Sequence, residues 1–216
     1  MSTFVAVENL SHSYGKLEVL SQMNLQIEAG EFVVVRGASG SGKSTLMKVF
    51  TRLYEPESGG ILWDDTSVES NNVTDYRTLF SSVFSDFHLF DRLYGLPEIE
   101  EKVVNDMLGD LDIAHKTQYR DGAFTNTNLS TGQRKRLALA VALLENRPIL
   151  LLDELGADQD PEFRKRFYNE LIPGWKKEGR TLVIVSHEDQ YFHVADRTIV
   201  LSDGQTAIQR QNGATS

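Results

Sequence analysis

Residues 37–45 read Gly37-Ala38-Ser39-Gly40-Ser41-Gly42-Lys43-Ser44-Thr45, which fits the pattern G-x-x-x-x-G-K-[ST]. An apolar run, Phe32-Val33-Val34-Val35, precedes it. A helical pattern follows, with Leu46, Val49, Phe50 and Leu53 at i, i+3, i+4 and i+7. A strand, a glycine-rich loop and a helix are the context in which this pattern binds phosphate. Gly37, Gly40 and Gly42 lack a Cβ, so the backbone can curl and turn its N–H groups toward an anion. The positive end of the next helix adds to that field. Lys43 would reach the β- and γ-phosphates of a nucleotide, and the Ser44 hydroxyl would take one place on Mg²⁺.

The bulk composition narrows the rest. A chain of 216 residues, 40% hydrophobic and 25% charged, reads as one globular domain spanning 1–216. Its 22 basic and 31 acidic residues give a net charge of −9. That disfavours a broad nucleic-acid footprint, and no nucleic-acid partner is expected. With no cysteine there is no disulfide or thiolate metal site. The N-terminus lacks the form of a secretory signal. The longest apolar runs, such as Ile149–Leu152, are too short to span a membrane.

Outward from the loop, Phe4–Leu10 reads as a strand, and Ser11–Gly15 as a turn carrying Tyr14. Met23–Ile27 and Phe32–Arg36 read as strands joined by a hairpin at Glu28-Ala29-Gly30-Glu31. Ile61–Trp63 and Ser82–Phe84 are short strands. Pro97 should open a helix whose apolar face is Ile99, Val103, Met107, Leu108 and Leu111. Residues 115–128 read as loop. Ser130 and Gln133 have capping-box spacing before a helix from Arg134 to about Glu145. Asp160-Pro161 caps another helix, which Pro173-Gly174 should kink. Thr181–Val185 is a strand ending in Ser186-His187, and Arg197–Ser202 and Thr206–Ile208 flank an Asp203-Gly204 turn. Gln209–Ser216 should fray. The fold class expected is α/β: a mainly parallel sheet flanked by helices, with antiparallel strands beside it.

Two further stretches carry chemistry. Asp153-Glu154 ends the aliphatic strand Ile149–Leu152. An aspartate there can hold Mg²⁺, and a carboxylate one residue on can polarise an attacking water. Leu129-Ser130-Thr131-Gly132-Gln133 opens a helix with free N–H groups, a hydroxyl and a glycine, a second anion site. Two such helix ends over-provide for one nucleotide in one subunit. A second copy placed head-to-tail resolves this, with each nucleotide lying between one subunit's 37–45 loop and the other's 129–133 segment.

On these residues the chain resembles the nucleotide-binding domain of ATP-binding-cassette (ABC) transporters, whose signature Leu-Ser-Gly-Gly-Gln is matched by Leu-Ser-Thr-Gly-Gln at 129–133. The resemblance runs from about Val5 to Gly204. It implies a P-loop NTPase with an antiparallel β subdomain and a helical subdomain at about 86–147. It implies ATP and Mg²⁺ as ligands, with ATP hydrolysed, and an ATP-sandwich dimer. Tyr14 matches the aromatic that stacks on adenine. Glu154 matches the catalytic base, His187 the switch histidine, and Asp160 the aspartate of the loop crossing the dimer interface. Lys43, with the 37–45 backbone, neutralises phosphate together with the partner copy's Ser130, Gly132 and Gln133. Asp153 and Ser44 serve the metal. It also implies a transmembrane partner and a peripheral place on the cytoplasmic face of the inner membrane.

Two departures stand out. The family's glutamine after the strand at 82–84 is replaced by Ser85, so Ser85 or the neighbouring Asp86 would serve the metal through water. The stretch from there to the signature is short, so the helical subdomain should be reduced. Phe84–Phe90, Leu129–Leu139, Ala157–Pro161 and Tyr191–Arg197 resemble the branch that exports cyclic peptides, lipopeptides and siderophore precursors. A soluble ABC protein acting on ribosomes or DNA is the rival reading; such proteins usually carry two cassettes or a long insertion. The remaining histidines, His12, His88, His115 and His193, have no metal-ligand spacing. The Arg134-Lys135-Arg136 cluster is expected to be a solvated helix face.

Overall fold

The computed structural model describes residues 5–211. In chain order the elements are β1 (Val5–Tyr14), β2 (Leu17–Ile27), β3 (Phe32–Gly37), α1 (Lys43–Phe50), β4 (Ser58–Trp63), β5 (Thr66–Ser67) and α2 (Val73–Arg77). Then come β6 (Phe80–Val83), α3 (Glu101–Asp110), β7 (Tyr119–Arg120), β8 (Ala123–Phe124) and α4 (Thr131–Leu144). The last part holds β9 (Ile149–Asp153), α5 (Pro161–Arg166), α6 (Ile172–Lys177), β10 (Thr181–Val185), β11 (Arg197–Ser202) and β12 (Gln205–Gln211).

Six strands form the central sheet in the order β12-β11-β3-β10-β9-β6. All neighbours are parallel except β11 and β12. Residues of β9 and β10 are buried throughout. Their unbroken aliphatic runs are what a strand covered on both faces requires. One core layer packs Leu150, Leu152, Leu182 and Ile184 against α4, Phe163, Phe167 and Trp175. The other packs Val33, Val35, Leu151 and Val183 against Leu46, Val49 and Phe50 of α1 and the second sheet. Each such buried aliphatic side chain contributes about 1.5–3 kcal/mol, so the strand ends that carry Gly37, Asp153 and Val185 are rigidly held.

The second sheet, β2-β1-β4-β5, is antiparallel throughout. Here the expected hairpin at 28–31 fails. Glu31 N does donate to Glu28 O at 3.2 Å, so the chain turns, but β2 pairs with β1 and β3 pairs with β10 and β11. The turn carries the chain between sheets, and the hairpin lies instead at Tyr14–Leu17.

Four other expectations are corrected. The helix after Pro97 starts at Glu101 and buries Val104 and Leu108, leaving Val103 48% exposed. Pro97–Glu100 lies outside it. Residues 115–128 contain the β7–β8 pair, whose Tyr119 and Phe124 rings meet in the core. Gln209–Gln211 pair with β11 rather than fray; the rest of that expected tail lies outside the described residues. The helix that Asp160 opens departs from α geometry at Phe167–Leu171, a π-helical turn, and Pro173 follows it at the start of α6.

Candidate active site

The site is built at the C-terminal ends of β3, β9 and β10, three adjacent strands of the central sheet. Residues 37–45 link β3 to α1. Gly40 and Gly42 have φ of 79° and 96°, the left-handed region that glycine adopts without strain. Gly42 also caps α1, and no side chain bonds its first N–H groups. A Cβ at Gly42 would lie 2.9 Å from Val19 O, and one at Gly37 would lie 2.4 Å from Leu201 O. The loop therefore rests on a tight backing made by β2 and β11.

Lys43 is buried, and its Nζ donates to Gly37 O and Ala38 O, both at 2.9 Å. Its ammonium lies folded over the loop it belongs to. Ser39 and Gly40 are exposed, while Ser41 is buried with an unpartnered Oγ. Ser44 and Thr45 lie on the first turn of α1, and the Tyr14 hydroxyl is 3.4 Å from Thr45 Oγ1. Tyr14 is 49% exposed beside the loop. His12 and Tyr54 stack on each other and meet its ring edge-on.

Asp153 is 1% exposed. Its Oδ2 accepts from Ser85 Oγ at 3.0 Å and from Ser85 N at 3.4 Å, while its Oδ1 is buried without a partner among the described residues. A bare buried carboxylate oxygen is costly, and a cation or its bound water would relieve it. Ser85 is thus the residue that reaches Asp153. Asp86 is engaged elsewhere: Lys48 of α1 lies 2.7 Å from it and holds its carboxyl below the usual range.

Glu154 follows with φ 54° and ψ 37°, a left-handed conformation for a non-glycine residue. Its N donates to Val185 O at 3.0 Å, and its Oε1 is 3.1 Å from His187 Nε2. Both side chains are partly open to solvent. Strained backbone of this kind costs about 1–3 kcal/mol and persists where the surroundings over-determine it.

The 129–133 segment stands apart. Ser130 Oγ accepts from Gln133 N at 3.4 Å, and Gln133 Oε1 accepts from Ser130 N at 3.2 Å, completing the capping box. Gln159 Nε2 donates to Gly132 O at 3.2 Å. Among the described residues the polar contacts of this segment run to itself, to Thr127 O, to the next turn of α4 and to Gln159, not to the 37–45 loop. Asp160 caps α5 through Phe163 N at 2.9 Å. That bond, with the Arg136 guanidinium, holds its carboxyl below the usual range.

The Arg134-Lys135-Arg136 expectation is corrected. Lys135 and Arg136 are each 6% exposed. Arg136 pairs with Asp160 and bonds Gln159 Oε1 at 2.8 Å, and its guanidinium lies 3.7 Å from the Phe163 ring centre. Burying two adjacent cations needs acids brought from elsewhere. The only trace of this in the sequence is the Asp158-Gln159-Asp160 run. Residues 87–94 divide: Phe87 and Leu89 pack on the core, while Phe90 and Tyr94 are exposed. They border a groove of about 260 Å³ with Ala138, Val141 and Glu145.

The family model described as "ABC transporter" matches residues 20–157, more than half of the chain. The ATP-binding protein SyrD of Pseudomonas syringae pv. syringae is 50% identical over 189 residues, covering 86% of this chain and 33% of SyrD. A bacterial Atm1-family ABC exporter with ATP bound superposes with a TM-score of 0.85 at 27% identity, over 97% of this chain and 38% of that one. The dimeric post-hydrolysis state of the ATP-binding cassette MJ0796, bound to ADP and Pi, gives 0.82 at 26% identity, over 97% of this chain and 99% of that one. The chain thus spans about a third of the length of SyrD and of the exporter.

Proposed function

This chain belongs to the ABC transporter family, and from that premise we propose that it binds and hydrolyses ATP to drive a membrane partner. The single observation that carries the reading is the convergence, at the ends of three adjacent strands, of the Lys43 loop, the Asp153-Glu154 pair and His187. Phosphoryl transfer needs positioned cations and one group that orients the nucleophile, and these residues supply both.

In this reading the phosphates of ATP displace Gly37 O and Ala38 O from the Lys43 ammonium. They then lie against the N–H groups of residues 40–45, of which Ser41 N is bonded to Ala38 O at 3.1 Å in this structure, and the N-terminus of α1. Tyr14 stacks on the base. Ser44 and Asp153, with Ser85 behind it, would hold Mg²⁺. The bare Asp153 Oδ1 fits such a cation or a water of its shell. Among the described residues no group of three acids or histidines gathers to hold a metal, which suits an ion bound by one or two protein groups, phosphate and water. Bound there, Mg²⁺ would supply positive charge to offset that of the phosphates.

The Glu154 carboxylate orients a water and accepts its proton as the water oxygen bonds to the γ-phosphorus. The bond from that phosphorus to the β,γ-bridging oxygen breaks, and ADP leaves. His187, 3.1 Å from Glu154, steers that carboxylate and reaches the γ-phosphate. Ser130, Gly132 and Gln133 of a second copy, with Asp160 at the interface, close the site. The dimeric MJ0796 cassette bound to ADP and Pi supports this arrangement.

Among the described residues no helix is long and apolar enough to cross a membrane. The membrane partner is therefore a domain or subunit outside residues 5–211. The exposed Phe90 and Tyr94 beside the groove suit its docking. Export of a peptide-like or siderophore-related molecule, from the cytoplasmic face of the inner membrane, is the direction the motifs and the Atm1-family exporter favour.

The test is ATP turnover with and without Glu154→Gln. Turnover should fall by about 10²–10⁴-fold while ATP binding persists. Near-wild-type turnover would remove Glu154 from the base role. Affinity purification of the full protein should bring down a polytopic membrane chain, unless the membrane domain is fused to it.

A further inference from the structure

Lys135 lies in the second turn of α4 with its side chain 7% exposed. Its Nζ donates to Glu154 O at 2.7 Å and lies 2.6 Å from Asp158 Oδ2. The first contact is to the backbone of the residue read above as the base. A carbonyl fixed by a buried ammonium fixes its whole peptide plane, since the peptide bond does not rotate. That plane sets ψ of Glu154, which sits at φ 54°, ψ 37°. Something must hold a non-glycine residue there.

The neighbouring contacts brace the same segment. Gln159 Nε2 bonds Leu155 O at 3.3 Å as well as Gly132 O. A Cβ at Gly132 would lie 2.4 Å from Asp158 O. Tyr168, bonded to Ser186 Oγ at 2.7 Å, would meet a Cβ at Gly156 at 2.8 Å. None of these touches the Glu154 carbonyl, which besides Lys135 Nζ accepts only a longer bond, 3.3 Å, from Ala157 N in the turn that follows, among the described residues. Glu154 N is already committed to β10 through Val185 O, so Lys135 ties the C-terminal side to α4 with a 2.7 Å bond, where Ala157 N ties it only to its own turn.

We propose that Lys135 is a positioning residue for the Glu154 carboxylate: its bond to Glu154 O holds the left-handed turn that aims the side chain at His187 and the γ-phosphate. The inference rests on the reading of Glu154 as the base. It also ties that carboxylate to α4, whose first turn faces the other subunit's nucleotide in the same reading. The base of one site and the phosphate contact of the other then move as one body.

The test is steady-state ATP turnover of the full protein for Lys135→Met, Lys135→Arg, Asp158→Asn and Glu154→Gln, with melting followed in each. Lys135→Met should lower kcat tenfold or more, with the KM for ATP within twofold. Lys135→Arg keeps N–H donors at that place and should recover most of the loss. Asp158→Asn keeps the carbonyl bond and should stay within threefold of wild type. Should Lys135→Met alone fail to fold, Lys135→Met with Asp158→Leu removes both charges. Lys135 is buried and Asp158 half-exposed; removing both charges leaves no buried cation without its partner, and the same loss of kcat is expected.

Wild-type kcat in the folded methionine variant, single or double, would overturn the proposal. So would equal losses in Lys135→Met and Lys135→Arg, or in Lys135→Met and Asp158→Asn. If Glu154→Gln is inactive while Lys135→Met turns over normally, only this inference falls. If Glu154→Gln itself turns over normally, the base assignment falls and takes the inference with it.

Discussion

Helix α1 begins at Gly42, in a left-handed conformation, with no side chain on its first N–H groups. Helix α4 begins at Ser130, in an extended conformation, with its hydroxyl and the Gln133 amide closing a capping box. Both ends are positive by the alignment of peptide dipoles. Their donors are held differently. In α1 they stand open, and the nearest cation, Lys43, is folded back onto the loop's own carbonyls. In α4 they are partly spent on internal bonds of 3.2 and 3.4 Å, long enough to be given up. In the function proposed above, the first end is the anion site within one subunit, and the second would have to trade its cap for a ligand, which suits a contact made only when two copies meet.

Lys43→Ala tests the first half of that contrast most severely. Removing a charge-assisted donor set costs about 2–3 kcal/mol, so ATP affinity should fall by roughly 10²-fold, read by equilibrium binding. An affinity within threefold of wild type would mean the open N–H groups suffice. Gly42→Ala probes the shape of the same end. A Cβ in left-handed backbone costs about 1–2 kcal/mol, and here it also presses on Val19 O. Melting should drop by roughly 2–8 °C, with weaker ATP binding.

Ser130→Ala sharpens the second half. A cap with bonds this long is worth about 0.5–1 kcal/mol, a melting loss of roughly 1–4 °C. If the segment also serves a nucleotide across a dimer, turnover falls further than that stability change explains. An equal effect on both readouts would leave Ser130 a cap alone.

Asp160→Asn is the smallest test and concerns pH. Phe163 N–H and Arg136 hold the folded carboxyl below its unfolded value. Its contribution to stability is therefore present above the unfolded aspartate pKa of about 3.9. It is lost as pH falls through the lower folded value. Urea unfolding should show a less stable variant at neutral pH, and the gap should close as pH is lowered below about 4.

The readable parts of this molecule are those whose chemistry is local. Gly37–Thr45, the Asp153-Glu154 strand end and Ser186-His187 each show their chemistry in adjacent residue types, and β10 and β11 take the bounds their patterning predicts. What was not legible depends on distant partners. Glu28–Glu31 says that the chain turns, but pairing with β10 and β11 decides that it changes sheets. Val103 and Val104 are chemically alike, and only packing on α4 and β7 chooses between them. Lys135 and Arg136 look like surface cations until Asp158 and Asp160 arrive from beyond β9. Ser85 carried a signal only as a departure from the family pattern, and its bond to Asp153 gives that departure a geometry.

The backing of the phosphate loop has a consequence for how the protein is made. Gly42 abuts Val19 O, the turn at Gly204 abuts the same carbonyl, and Gly37 abuts Leu201 O. Ser21 N also donates to Gly204 O at 2.9 Å. The loop is synthesised before part of the wall it leans on, because β11 and its turn lie far downstream of it. The shape of the phosphate loop thus depends on residues far along the sequence, and a segment cut before Leu201 would keep the motif but lose part of its backing.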